Sequence, residues 1–103
     1  MNTPHAMRLP RELTIYTVGE TRHDLTTWIA TLGDRATVWR LDASGVEEAD
    51  AAGVQLLLAM SRSASAAGAR LKLDAPSEAL CRASHQLGIA PIVLGTLDHE
   101  SAA

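Results

Sequence analysis

The sequence predicts a single α/β domain whose helices lie mainly on one face of its sheet. Three observations lead there. Two segments, 37–41 and 69–74, alternate apolar and polar residues with the period of two that half-buried strands show. Three other segments carry apolar residues at helical spacing, and they interleave with the strands. Each strand also has a charged side: Arg40 on one, Arg70 and Lys72 on the other. Strands covered on both faces would read as continuous apolar runs instead.

The elements follow in order. Ala6-Met7-Arg8-Leu9 reads as a short strand, closed by Pro10. Leu13-Thr14-Ile15-Tyr16 is rich in β-formers but short. Thr17-Val18-Gly19-Glu20 has capping-box spacing, so a helix is expected over 18–32. Leu25, Trp28, Ile29 and Leu32 give it one apolar face, and Gly33 suits its end. In the strand 37–41, Trp39 and Leu41 share the inner side, and Val38 and Arg40 the other. Asp50 is a good N-cap for a helix over 51–67, which Gly68 stops. Leu71 and Leu73 point inward from the next strand. Ser77 caps a third helix with an inner stripe of Leu80, Ala83, Ser84 and Leu87, and Gly88-Ile89 fits a Schellman stop. Pro91-Ile92-Val93-Leu94 is a last short strand or turn. The domain is expected over 6–95, with flexible ends at 1–5 and 96–103. An open sheet face carrying Arg8, Arg40, Arg70 and Lys72 would be cationic, which as a first reading means only that it is solvated.

Composition narrows the function. At 103 residues and 47% hydrophobic, the chain can build one core, made of Leu, Val, Ile and Ala because aromatics are 3% and Phe is absent. A net charge of −3 argues against nucleic acid as partner. The one cysteine, Cys81, excludes an internal disulfide and fits a reducing compartment. The N-terminus lacks the apolar run of a signal peptide, and no stretch approaches a membrane span. A cytoplasmic protein without direct membrane insertion is expected.

No signature of catalysis or of a cofactor is present. Asp42, Glu47, Glu48 and Asp50 crowd nine residues, but their spacing does not match an EF-hand, and a solvated acidic loop is the simpler reading. A receiver-type phosphoacceptor would need a lysine near the last strand, and the single lysine, Lys72, sits outward. His5, His23, His85 and His99 are scattered, and Cys81 with His85 supplies only two ligands. There is no Gly-x-Ser-x-Gly and no glycine-rich phosphate loop. The expectation is a non-enzymatic protein without metal or cofactor.

The helix 51–67 is apolar on two sides. Val54, Leu57, Leu58, Ser61 and Ala64 form one stripe; Leu56, Ala59, Met60, Ser63 and Ala67 form the other. Leu56 and Met60 either pack against a neighbouring helix or make an exposed strip for a protein partner.

The segments Leu41-Asp42-Ala43-Ser44-Gly45-Val46 and Asp50-Ala51-Ala52-Gly53-Val54, with the Leu-rich helix after them, resemble the STAS domain of bacterial anti-sigma-factor antagonists. The turn Asp74-Ala75-Pro76-Ser77 and Leu87-Gly88-Ile89 extend the resemblance, which covers about residues 8–94. It implies a four-stranded mixed sheet with helices on one side. It also implies that Asp50, Ala51, Gly53, Gln55, Leu56 and Met60 contact a protein partner. Many members carry Ser or Thr where this chain has Ala51, and that hydroxyl takes a regulatory phosphate. Ala51 cannot, so the resemblance implies a module fixed in its unmodified, binding state. Ser44 is a common residue at its position in such sequences; it either bonds its own loop or is a displaced phosphosite. The implied partner is an anti-sigma kinase, or a chemotaxis kinase, since STAS proteins of proteobacterial chemotaxis clusters often replace the hydroxyl. The alternatives are an accessory role on the ATPase of a lipid-transporting ABC complex, where a Thr is usual at the Ala51 position, and a small-ligand or nucleotide-binding module.

Overall fold

The computed structural model describes residues 6–89. Along the chain run β1 (Ala6–Arg8), β2 (Glu12–Leu13), α1 (Val18–Leu32), β3 (Val38–Asp42), β4 (Glu48–Ala49), α2 (Ala51–Ala66), β5 (Arg70–Asp74) and α3 (Glu78–Gln86). The strands form a three-stranded sheet, ordered β1-β3-β5, and a separate pair, β2-β4. The α/β class is as expected; each pairing among the described residues is parallel, and these residues hold five strands in two groups where about four in a mixed sheet were expected. The expected element at 91–94 and the chain ends lie outside the described residues.

The order β1-β3-β5 advances in one direction, so right-handed crossovers deliver α1 and α2 to the same face. Trp39, Leu41, Leu71 and Leu73 point to that face and are buried there with Leu25 of α1, Val54 and Leu57 of α2, and Leu80 of α3. The other face alternates as expected but is not simply cationic. Asp42 and Asp74 share it with the basic residues; Arg40 Nε lies 3.1 Å from Asp74, and Arg8 Nε lies 3.8 Å from Asp42. The register sets Arg8 directly opposite Asp42, and Asp74 two residues beyond Lys72, the direct partner of Arg40.

The helix ends follow local chemistry. Asp50 caps α2 and Ser77 caps α3, accepting from Gly53 N at 3.1 Å and Leu80 N at 3.1 Å. Gly68 and Gly88, at φ 80° and 72°, end α2 and α3 in Schellman turns: Ala69 N donates to Ala64 O and Ile89 N to Ser84 O. Two expectations fail. Leu87 is 38% exposed because α3 ends at Gln86, and Leu87 has left the helical stripe. Thr17 precedes α1 but makes no capping bond with its side chain.

Candidate functional site at the start of helix α2

Of the segment 13–16, only Leu13 lies in a strand. Pairing stops at Leu13, and residues 14–17 fold into a tight turn. Thr17 Oγ1 lies 2.9 Å from Glu12 O and accepts from Thr14 N at 3.0 Å. The hydroxyl expected to cap α1 is thus spent inside the turn. Thr14 Oγ1 donates to Glu12 Oε2 at 2.7 Å and accepts from Tyr16 N at 3.3 Å. The backbone amides of Thr17 and Val18 both donate to Thr14 O.

Asp50 fastens this turn to α2. Its Oδ1 accepts from Gly53 N at 3.1 Å, and its Oδ2 accepts from Ile15 N at 3.0 Å. Asp50 N in turn donates to Leu13 O at 3.3 Å. The Ile15 amide holds the Asp50 carboxyl below its ordinary value of 3.8; desolvation opposes it, and the Gly53 amide adds to the lowering. Gly53 completes the junction by close approach. A Cβ here would lie 2.9 Å from Leu13 Cγ and collide with the Leu13 carbonyl oxygen. The first turn of α2 therefore sits directly on the backbone of β2.

The side chains that this junction leaves outside are apolar. Ile15 is 61% exposed and Tyr16 89%. Ala51, the first residue of α2 and next to Asp50, is exposed, and Gln55 is exposed one turn further on. Gly53 is buried. Leu56 and Met60, at 8% and 7% exposure, are not a protruding strip: α1 packs along that side of α2, and both join the core. Ser44 has its own partner. Its hydroxyl donates to Asp42 Oδ1 at 2.6 Å and its amide at 2.9 Å, which together lower the Asp42 pKa. The structure thus brings Asp50, Ala51, Gly53 and Gln55 together and sets Ser44 in a separate hydrogen-bonded loop. Glu47 pairs with Arg11 at 3.1 Å, so the acidic stretch disperses its carboxylates among different partners.

Reading the sequence missed Ile15 and Tyr16 as surface residues. Their β propensity pointed to a strand; the two threonines flanking them, each able to close a turn, were the available signal.

The arrangement leaves two large apolar side chains, Ile15 and Tyr16, exposed on a hydrogen-bonded turn. Among the described residues, no group of three or more His, Cys, Asp or Glu could hold a metal, and no helix is long and apolar enough to cross a membrane. A family model described as "Mlab, STAS domain" matches residues 3–97. No curated protein and no solved structure matches the chain. The matched span takes in every described strand and helix, including the Asp50–Gly53 junction that joins them, and the chain belongs to this STAS domain family.

Proposed function

We propose that this protein is a non-enzymatic adaptor that docks a protein partner through Ile15, Tyr16, Ala51 and Gln55, and that it is not switched by phosphorylation at Ala51. STAS domains are in general binding modules rather than enzymes. The observation that carries the reading is the exposure of Ile15 and Tyr16 on a turn held by Asp50. On a turn whose backbone is already held, a tyrosine and an isoleucine pay mainly side-chain entropy on binding, which suits interface anchors. Ala51 presents a methyl group where a hydroxyl would receive phosphate, so the surface keeps one charge state. The partner inferred from the family resemblance is an anti-sigma kinase or a chemotaxis kinase. A second reading, the ATPase of a lipid-transporting ABC complex, is favoured by the Mlab description of the matching family.

The test is capture from native lysate by the full chain, its Tyr16→Ser variant and its Ala51→Glu variant. Glu at the first helical position suits the helix dipole, so Ala51→Glu keeps the fold while adding the charge a phosphate would bring. A kinase of either signalling type, lost with both variants, is the expected result. An ABC ATPase lost in the same way selects the second reading. Equal capture by all three proteins refutes this docking surface.

A further inference from the structure

We propose that the groove between α1 and α2 binds a free, single-chain anionic amphiphile such as a fatty carboxylate, with its chain on Leu56, Met60, Ile29 and Trp39 and its head at Arg22. The groove encloses about 530 Å3, within the roughly 300–1,000 Å3 range of small-molecule sites. It exists because the helix surfaces that face each other are built from small residues. Gly19 on α1 and Ala52, Ala59 and Ser63 on α2 line it, and a Cβ added at Gly19 would touch nothing within 4 Å. The floor is apolar and nearly closed to water, with Trp39 at 6% and Met60 at 7% exposure.

The one charged residue lining the groove is Arg22. Its guanidinium has no hydrogen-bond or ion-pair partner among the described residues. Polarity runs along the groove. Arg22 and Gln55 lie one turn into the two helices, toward their N-terminal ends. Ile29 and Met60 lie toward the other end. The Thr26 hydroxyl donates to Arg22 O at 2.9 Å, and Ser63 is the other hydroxyl that lines the groove. A nucleotide would place several charges against one guanidinium, with no glycine-rich loop to cradle its phosphates. A neutral alkane would leave that guanidinium without an anion.

The probe is dodecanoate below its micelle concentration, titrated into the full chain by calorimetry. One saturable site per chain is expected. Arg22→Gln removes a charge-assisted pair from an exposed position and should weaken binding by about tenfold. Dodecanol, with the same tail and no charge, should bind more weakly than dodecanoate. Ala59→Phe should fill the groove and abolish binding. Thermal melts check that both variants fold; if Ala59→Phe does not, Arg22→Gln still decides. No saturable binding, or equal affinity in Arg22→Gln, overturns the proposal. Co-sedimentation with phosphatidylglycerol vesicles but no uptake of free dodecanoate also overturns it, since the source would then be a membrane surface.

Discussion

Replacing Gly53 with alanine sets two effects of opposite sign against each other in one residue. Alanine favours the helical backbone over glycine by about 1 kcal/mol, and on propensity alone the variant should be more stable. The structure predicts the reverse. The new Cβ would lie 2.9 Å from Leu13 Cγ and 3.0 Å from the Leu13 carbonyl carbon, whereas carbon atoms rest at about 3.5–4.0 Å. β2 must therefore recede from α2 by at least roughly 0.5 Å. Leu13 is completely buried, and its carbonyl accepts from Asp50 N at 3.3 Å, already a long bond. Overpacking of this kind costs about 1–3 kcal/mol, and loss of the strained bond adds about 1 kcal/mol. After the propensity gain, a net loss of about 2 kcal/mol remains. For a domain of this size that lowers Tm by roughly 8–16 °C. Thermal and urea melts followed by circular dichroism would measure it. An unchanged or raised Tm in Gly53→Ala would show that the close approach of α2 to β2 is not what glycine is needed for.

Other expectations follow from the same contacts. Asp50→Ala should cost about 1 kcal/mol at neutral pH through the lost cap and anchor. Because the folded Asp50 carboxyl titrates below its unfolded value of 3.8, this contribution is complete above that pH and disappears as pH falls through the lower folded value. The gap between wild-type and variant urea midpoints should therefore close in strong acid; a gap that persists there would mean the carboxylate charge is not involved. Leu56→Glu should destabilise the fold by about 3 kcal/mol or more, since it trades a buried leucine on the groove floor for a carboxylate. An unaltered melting curve for Leu56→Glu would restore the exposed-strip reading of that residue. Ala75 holds φ 51° in the turn into α3, a conformation that costs a non-glycine residue about 1–2 kcal/mol. Ala75→Gly removes that cost but adds unfolded-state entropy, leaving a gain of about 0.5 kcal/mol and a Tm higher by a few degrees, readable in the same melts.

What could be read from the sequence was what local chemistry decides. The caps at Asp50 and Ser77 and the stops at Gly68 and Gly88 each depend on residues within one turn. The inward pairs Trp39 and Leu41, and Leu71 and Leu73, needed only the strand period. What could not be read depends on distant partners. Strands β2 and β4 are two residues each, too short to show any alternation, and they exist because their backbones meet. The turn at Ile15 is fixed by a carboxylate 35 positions away, so no local pattern overrides the β propensity of Leu13-Thr14-Ile15-Tyr16. The state of Leu56 and Met60 turned on whether another helix covered them, and helical periodicity gives the faces of α2 without saying what lies against them. The groove was hidden for the same reason, since its lining comes from α1, α2 and β3 together.

The Asp-x-x-Gly signature that first pointed to this family divides into two parts with different physical work. Asp50 and Gly53 are structural: one carboxylate satisfies amides from two separate segments, and one missing Cβ lets β2 lie on α2. Ala51 is exposed and Ala52 half-buried, and neither makes a side-chain bond that holds the junction. The fold therefore constrains the first and fourth positions and leaves the second free to vary. Ala51 can replace a hydroxyl without disturbing the scaffold, because nothing in the scaffold depends on that side chain. Retention of the motif is then a consequence of folding, and it carries no information about whether a phosphate switch operates.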